Sequence, residues 1–295
     1  WKVYFKIKKM SPDIVHTHLV GFFYSALSVI TSPLKRFFYS VHSPADKDVP
    51  YYYRPVYKFL FKFFNVKTIP ISQAVQKSFK QVYNLNSGQV IYHGTKMNPD
   101  GLADGRVTKE VSEYKNTPST HIFITLARIA EEKNQQLLIE SFNRLILEKL
   151  DVVLLIIGNG TKNALLNELK ILAGPNIYFL GAKDDTGEYL KLADAFCLTS
   201  EYEGLSLATI EALAMKVIPI CTSVGGIPEV VQDGYNGILS ADCTVISYFK
   251  ALKRFLVMTD EKKQAMRENA FRTYKERFTI ERCGNEYLKL YKDAL

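Results

Sequence analysis

From residue 119 onward, apolar runs and amphipathic runs alternate. Continuous apolar stretches predict strands at 121–127, 152–157, 177–180, 195–199 and 217–221. Between them, apolar residues recur at helical spacing and predict helices at 134–149, 162–173, 187–193, 206–215 and 228–232. The run Val152-Val153-Leu154-Leu155-Ile156-Ile157 has no polar face, as a strand in a sheet covered on both sides requires. Strand and helix in turn at this spacing predict a parallel, doubly wound α/β domain. The tail, 245–295, reads as two or three helices.

The first part of the chain repeats the pattern with fewer units. Strands are expected at 13–17, 37–42, 68–71 and 89–92, with helices between them. It opens on a basic amphipathic helix, with no leading strand and no Gly-rich loop. The polar stretch 97–120, carrying Pro99, Gly101, Gly105 and Pro118, reads as the linker. The domain boundaries expected are 1–112, 113–278 and a last helix at 279–295. The first domain looks incomplete beside the second, as if the chain began some way into it. The longest uncharged run, 19–34, is shorter than the roughly 20 residues of a membrane span and is expected as a buried helix.

Composition adds one asymmetry. The 295 residues are 47% hydrophobic and 23% charged, as in a globular protein. The formal net charge is +8, and residues 1–118 hold 17 Lys and Arg against 7 Asp and Glu. The basic excess therefore belongs to the first part, which suggests an acidic partner there or a solvated basic face. No nucleic-acid-binding module is recognisable. The segment 51–64 interleaves aromatics with cations; it fits an anionic membrane interface or a packed helix with snorkelling lysines. Cys197, Cys221, Cys243 and Cys283 are far apart and read as reduced core thiols of a cytoplasmic protein.

Candidate chemistry gathers where strands end. Glu203 and Glu211 bracket seven residues, one acid on a strand-to-helix loop and the other on the helix it opens. Such loops line the ligand edge of a parallel sheet, and amides at a helix start take phosphate. Arg128 and Lys133 flank the turn after the first strand of the second domain and can reach one anion. Gly158-Asn159-Gly160 lacks a full phosphate-loop pattern and reads as a structural turn. Gly225-Gly226 follows another strand and permits close backbone approach. Asp184-Asp185 is adjacent pairing, a poor clamp for a divalent ion, so no metal site is expected.

Together these loops resemble the nucleotide-sugar domain of the retaining glycosyltransferases of family 4 (glycosyl transferases group 1), which have the GT-B fold. The matching stretches are residues 128–134, the E-x7-E segment 203–211, GluAlaLeuAla at 211–214 and GlyGlyIleProGluValVal at 225–231. TyrPheLeuGly at 178–181 and AspGlyTyrAsnGly at 233–237 match as well. The resemblance implies two Rossmann-like domains facing a cleft. It implies that Arg128 and Lys133 bind the donor diphosphate and that Glu211 binds the ribose. Glu203 would hold the transferred sugar, near the amides of Gly204, Leu205, Ser206 and Leu207. Ala182 and Lys183 would meet the base through main-chain atoms. In the first domain, the strand through His16 and His18 resembles the family's strand ending in a histidine, with His18 beside the reacting sugar. His42 matches a second position less specifically, and His93 stands where the family has Asn.

The implied activity is metal-independent hexosyl transfer with retention, with His18, Glu203, Arg128 and Lys133 in the reacting site. The donor would be a UDP- or GDP-linked sugar and no separate cofactor is implied. The acceptor would be a glycan or a lipid-linked glycan in cell-surface polysaccharide or glycoconjugate synthesis, at the inner face of a membrane. Two alternatives stay open: a truncated or non-catalytic nucleotide-sugar-binding protein, and a sugar-nucleotide epimerase.

Overall fold

The computed structural model describes residues 1–295 except Pro33, Leu34, Leu102, Thr161 and Lys162. The start of the helix expected at 162–173 and the end of the uncharged run at 33–34 lie outside the described residues. The rest of the chain divides into two compact units. Unit 1 holds 1–94, 203–205 and 280–295; unit 2 holds 95–202 and 206–279. The sequence reading divides the chain at 112/113, whereas the contacts divide it at 94/95.

Unit 1 is built on a parallel sheet of order β1-β2-β3, with β1 Ile14–His18, β2 Arg36–Val41 and β3 Val66–Pro70. Its helices are α1 Lys2–Met10, α2 Gly21–Thr31, α3 Ala45–Asp48, α4 Arg54–Phe63 and α5 Gln73–Tyr83. Tyr51–Tyr53 forms one 3-10 turn before α4. The strand expected at 89–92 does not form. Gly88 N–H donates to Thr68 O and Ile91 N–H to Pro70 O. Parallel pairing needs donors at two-residue intervals, and these lie three apart on the donating side. The segment therefore runs beside β3 without continuing the sheet. The run from Leu19 was expected as a buried helix; α2 is buried on one side only, at Phe22, Ser25, Ser28 and Val29, and exposes Phe23, Tyr24, Leu27 and Ile30.

Unit 2 begins with α6 Gly105–Glu113, which lies within the stretch read as a linker. Asp104 caps it by accepting the Arg106 N–H at 2.7 Å, and Glu110 ties it to later elements, so a polar segment still orders. Next come β4 His121–Leu126, α7 Gln135–Leu147, β5 Val152–Ile157, α8 Asn163–Leu172, β6 Ile177–Gly181 and α9 Thr186–Lys191. They are followed by β7 Ala195–Leu198, α10 Leu207–Ala214, β8 Ile218–Thr222, α11 Ile227–Val230 and β9 Ile238–Ser240. The tail forms α12 Val245–Leu256, α13 Asp260–Arg277 and α14 Ile280–Lys292, the last belonging to unit 1.

The second sheet is parallel throughout, of order β6-β5-β4-β7-β8-β9. All six residues of β5 are buried, as their unbroken apolar run requires. The core joins Phe123, Phe142, Leu154, Ile156, Phe255 and their neighbours. The chain winds from β4 toward β6, then returns to place β7 on the other side of β4. The sheet therefore has its switch point between β4 and β7, where open α/β sheets hold ligands.

Candidate functional site

At the switch point of unit 2, β4 leads into Ala127-Arg128 and β7 into Thr199-Ser200-Glu201. The Thr199 hydroxyl donates to the carbonyls of Lys133 (3.1 Å) and Asn134 (2.9 Å), and Glu201 N–H donates to Glu132 O at 2.9 Å. The two loops are thus fastened to each other by the Thr199 hydroxyl and one backbone bond. Asn134 adopts a left-handed φ of 46° and caps α7, its Oδ1 accepting from Leu137 N–H. Asn tolerates this region better than most side chains. Arg128 is largely exposed and its guanidinium donates to Glu132 at 3.0 Å. Its carbonyl accepts from Gln135 Nε2 at 2.7 Å.

The next two loops continue the tie. Ile129 N–H donates to Asn159 O, Gly158 N–H to Gly181 O and Ala182 N–H to Asn159 Oδ1. Gly158 has φ 143°, and a Cβ there would lie 2.0 Å from Ala127 O. The glycine is therefore needed for packing of backbone on backbone, which agrees with a structural turn. Lys183 gives its ammonium to Glu110 at 2.8 Å, and Tyr189 gives its hydroxyl to the same carboxylate at 2.6 Å. These bonds hold the Glu110 carboxyl below the usual carboxylate range and push Lys183 up to about 12. Sequence reasoning missed Glu110 and Asn159, which carry no motif of their own.

Beyond β7, Ser206 is the N-cap of α10 and accepts from Thr209 N–H at 3.2 Å. The first amides of α10, from Leu207 on, open on this side of the sheet. Glu211 lies one turn on; partial burial raises its pKa, because the charged form loses solvation. Glu203, Gly204 and Leu205 group by contact with unit 1, so the two acids of the E-x7-E segment belong to different units. Glu203 is buried. A Cβ on Gly204 would lie 2.0 Å from the carbonyl oxygen of His42, so only glycine fits there without a shift.

In unit 1 the ends of β1 and β2 gather four of the chain's five histidines. His16 and His18 are two residues apart on a strand and so share a face; their rings stack at 4.4 Å. His18 Nδ1 and His42 Nε2 are 2.9 Å apart, and His42 meets His93 at 5.0 Å between ring centroids. His16 bonds the Tyr291 hydroxyl and, at 2.9 Å, the Ser40 hydroxyl, which in turn bonds Tyr287. Burial lowers the pKa of all four, to about 4 for His16 and His42, with neighbouring histidines adding to the effect for those two and His93. The cluster is therefore neutral near pH 7, able to donate or accept a hydrogen bond but carrying no fixed charge. The sequence reading singled out His18; the i, i+2 spacing was the available signal for His16. Among the described residues no group of three or more His, Cys, Asp or Glu is arranged to hold a metal ion.

The N-acetyl-alpha-D-glucosaminyl L-malate synthase of Bacillus anthracis is 31% identical over 193 residues, 64% of this chain and 50% of that protein. An Escherichia coli UDP-Gal:alpha-D-GlcNAc-diphosphoundecaprenol alpha-1,3-galactosyltransferase is 26% identical over 185 residues, 60% of this chain and 46% of that protein. The matches span about half the length of these curated relatives. A glycosyltransferase structure from Rickettsia africae ESF-5 superposes with TM-score 0.86 at 20% identity, covering 99% of this chain and 79% of that one. Anabaena HepE, solved with UDP and glucose, gives TM-score 0.86 at 18% identity, covering 99% and 81%. These likenesses establish the α/β fold with parallel sheets found in GT-B structures. The family model for glycosyl transferases group 1 matches residues 108–273, more than half of the chain, and the chain belongs to that family.

Proposed function

We propose that this chain transfers a hexosyl group from a UDP- or GDP-linked sugar to a hydroxyl of a glycan or lipid-linked acceptor, with retention at the anomeric carbon. The observation that carries this reading is the β4/β7 switch point, where the loop bearing Arg128 and Lys133 and the loop opening α10 leave neighbouring strands. Arg128 and Lys133 take the diphosphate, assisted by the amides from Gly204 to Leu207. Glu211 holds the ribose hydroxyls and Glu203 the hydroxyls of the sugar. The backbone around Ala182 and Lys183 meets the base. The galactosyltransferase relative, named for a UDP-Gal donor, and the UDP and glucose held by HepE support a nucleotide-sugar donor.

In this reading the acceptor oxygen bonds to C1 on the face from which the phosphate departs. The C1–O bond to phosphate breaks, and the acceptor proton passes to the leaving phosphate oxygen. Two cations and a helix N-terminus offset the charge that grows on the diphosphate, the service a metal ion gives elsewhere. His18, neutral at pH 7, serves the sugar as a hydrogen-bonding group. The reaction belongs to cell-surface polysaccharide or glycoconjugate synthesis at the cytoplasmic face of a membrane.

Donor turnover tests the assignment. Glu203→Gln and Lys133→Ala are each expected to slow transfer about a hundredfold, the usual cost of removing one preorganised group at a developing charge. Near-normal rates in both would sink it. Binding without transfer is the second reading, favoured by His93 standing where the resemblance has Asn. Calorimetric binding of UDP-sugar or GDP-sugar with neither transfer nor donor hydrolysis would select it.

A further inference from the structure

Unit 1 carries an unusual face away from its sheet. α1 buries none of its residues and holds Lys2, Lys6, Lys8 and Lys9 with no acid. It lies against α2, and α2 lies against α4. α2 buries Phe22 and Val29 but is apolar on its outward side as well. Ser25 and Ser28 point inward, Ser28 with a buried hydroxyl lacking a partner, while Phe23, Leu27 and Ile30 point outward. A helix that turns serines to the core and large apolar groups out is not built for water on that side. Beside it, Tyr51, Tyr52, Val56, Phe59 and Phe63 are exposed, with Lys58 and Lys62 on the same helix or its neighbouring turn. Phe23 and Tyr53 touch at 5.2 Å between ring centroids, which joins the patches. A groove of about 240 Å³ between them is lined by Leu19, Val20, Phe23, Tyr24 and Tyr53, and by Asp48, whose carboxylate accepts from the Tyr39 hydroxyl.

We propose that α1, the outward side of α2 and residues 51–63 form a docking surface for an anionic lipid bilayer. Charge complementarity selects this occupant. α1, α2, Tyr51–Tyr53 and α4 contain no Asp or Glu, while α1 carries Lys2, Lys6, Lys8 and Lys9 and α4 carries Arg54, Lys58 and Lys62. Aromatic rings suit the depth of the headgroups, and lysines on long stems reach lipid phosphates while their methylenes cover apolar surface. No helix among the described residues is long and apolar enough to cross a membrane, so the contact is peripheral. The proposal stands on surface chemistry and does not depend on the transferase reading.

The chain supplies its own reporter. Trp1 is its single tryptophan, 82% exposed at the start of α1. On titration with phosphatidylcholine vesicles containing phosphatidylglycerol, Trp1 emission is expected to shift to the blue and to be quenched by brominated lipid. Pure phosphatidylcholine should give a far weaker response, and high salt should reverse the binding. Replacing Lys6, Lys8 and Lys9 together by Ala, which favours the helix, is expected to weaken vesicle binding by roughly a hundredfold or more. Phe59→Ser with Phe63→Ser on the separate helix α4 should weaken it independently. An unchanged Trp1 spectrum overturns the proposal, as does full binding by both variants or equal binding to neutral vesicles. A dimer that buries Trp1 without lipid would instead assign the face to a second copy.

Discussion

The edge of unit 2 that bears Arg128 and Lys133 is held by main chain. The loops after β4, β5 and β6 bond each other through amides and carbonyls, and Gly158 lets two backbones meet where no side chain fits. The corresponding end of β1 and β2 in unit 1 is held by side chains: His18 on His42, His42 on His93, and His16 on Ser40 and Tyr291. A backbone-fastened edge is indifferent to pH and intolerant of a methyl group. A histidine-fastened edge answers to protons. Under the proposed function the first edge takes the donor diphosphate, while the histidines are neutral hydrogen-bonding groups near pH 7.

The largest effect is expected at the backbone contact. Gly158→Ala forces a Cβ against Ala127 O at a φ that alanine resists. It should cost about 3 kcal/mol in chemical denaturation. A cost below about 0.5 kcal/mol, within the range of ordinary surface substitutions, would show that the edge is not locked as described.

Acid is the second lever and acts on unit 1. His16 and His42 titrate at about 4 in the folded chain against 6.5 when unfolded. Between those values the unfolded chain binds more protons at these groups, so their contribution is complete above about 6.5 and fades as pH falls toward 4. His18 and His93 shift in the same direction. Asp48, raised from 3.8 to about 6 by burial, opposes them, since its contribution is lost as pH rises through that range. Glu211, also raised by burial, acts in the same sense as Asp48; with four histidines against these two carboxyls, stability should climb with pH across the window. His42→Asn should flatten the climb; an unchanged denaturation-midpoint profile in that variant would remove the histidines as its source.

Smaller effects separate the supports further. Ser206→Ala removes the cap of α10 and should cost about 1 kcal/mol. A nucleotide-binding loss larger than this stability loss would tie the helix start to the ligand. Glu110→Gln weakens a half-exposed pair with Lys183 and should cost under about 1 kcal/mol. If donor affinity moves with it, α6 belongs to the base pocket rather than to its scaffold.

Much of this was legible in the chain. The apolar run 152–157 had to be a doubly covered strand, and β4, β7 and β8 announced themselves in the same way. The segment 89–92 carried the same apolar signal, but its bonds to β3 fall out of register, which only pairing partners decide. β9 has three residues, too few for any period to show. α6 hid among Gly and Pro because its anchor, Glu110 on Lys183 and Tyr189, lies more than 70 residues away. α2 misled in another way, since an apolar run says how much surface wants cover but not which side is covered. Arg128 and Lys133 stood out as candidates because residues at strand ends share one edge of a parallel sheet. Gly158 and Gly204 reveal their reason only when the opposing carbonyl is seen.

Gly204 bears on how variation in this segment should be weighed. It sits beside Glu203, and drift at both positions would be restrained, yet for unrelated reasons. At 203 the restraint proposed is a carboxylate's hydrogen bonding; at 204 it is the missing space for one methyl group beside His42 O. Among related sequences, residue 204 should therefore stay glycine even in lineages whose sugar preference has changed and whose acidic neighbour has been replaced.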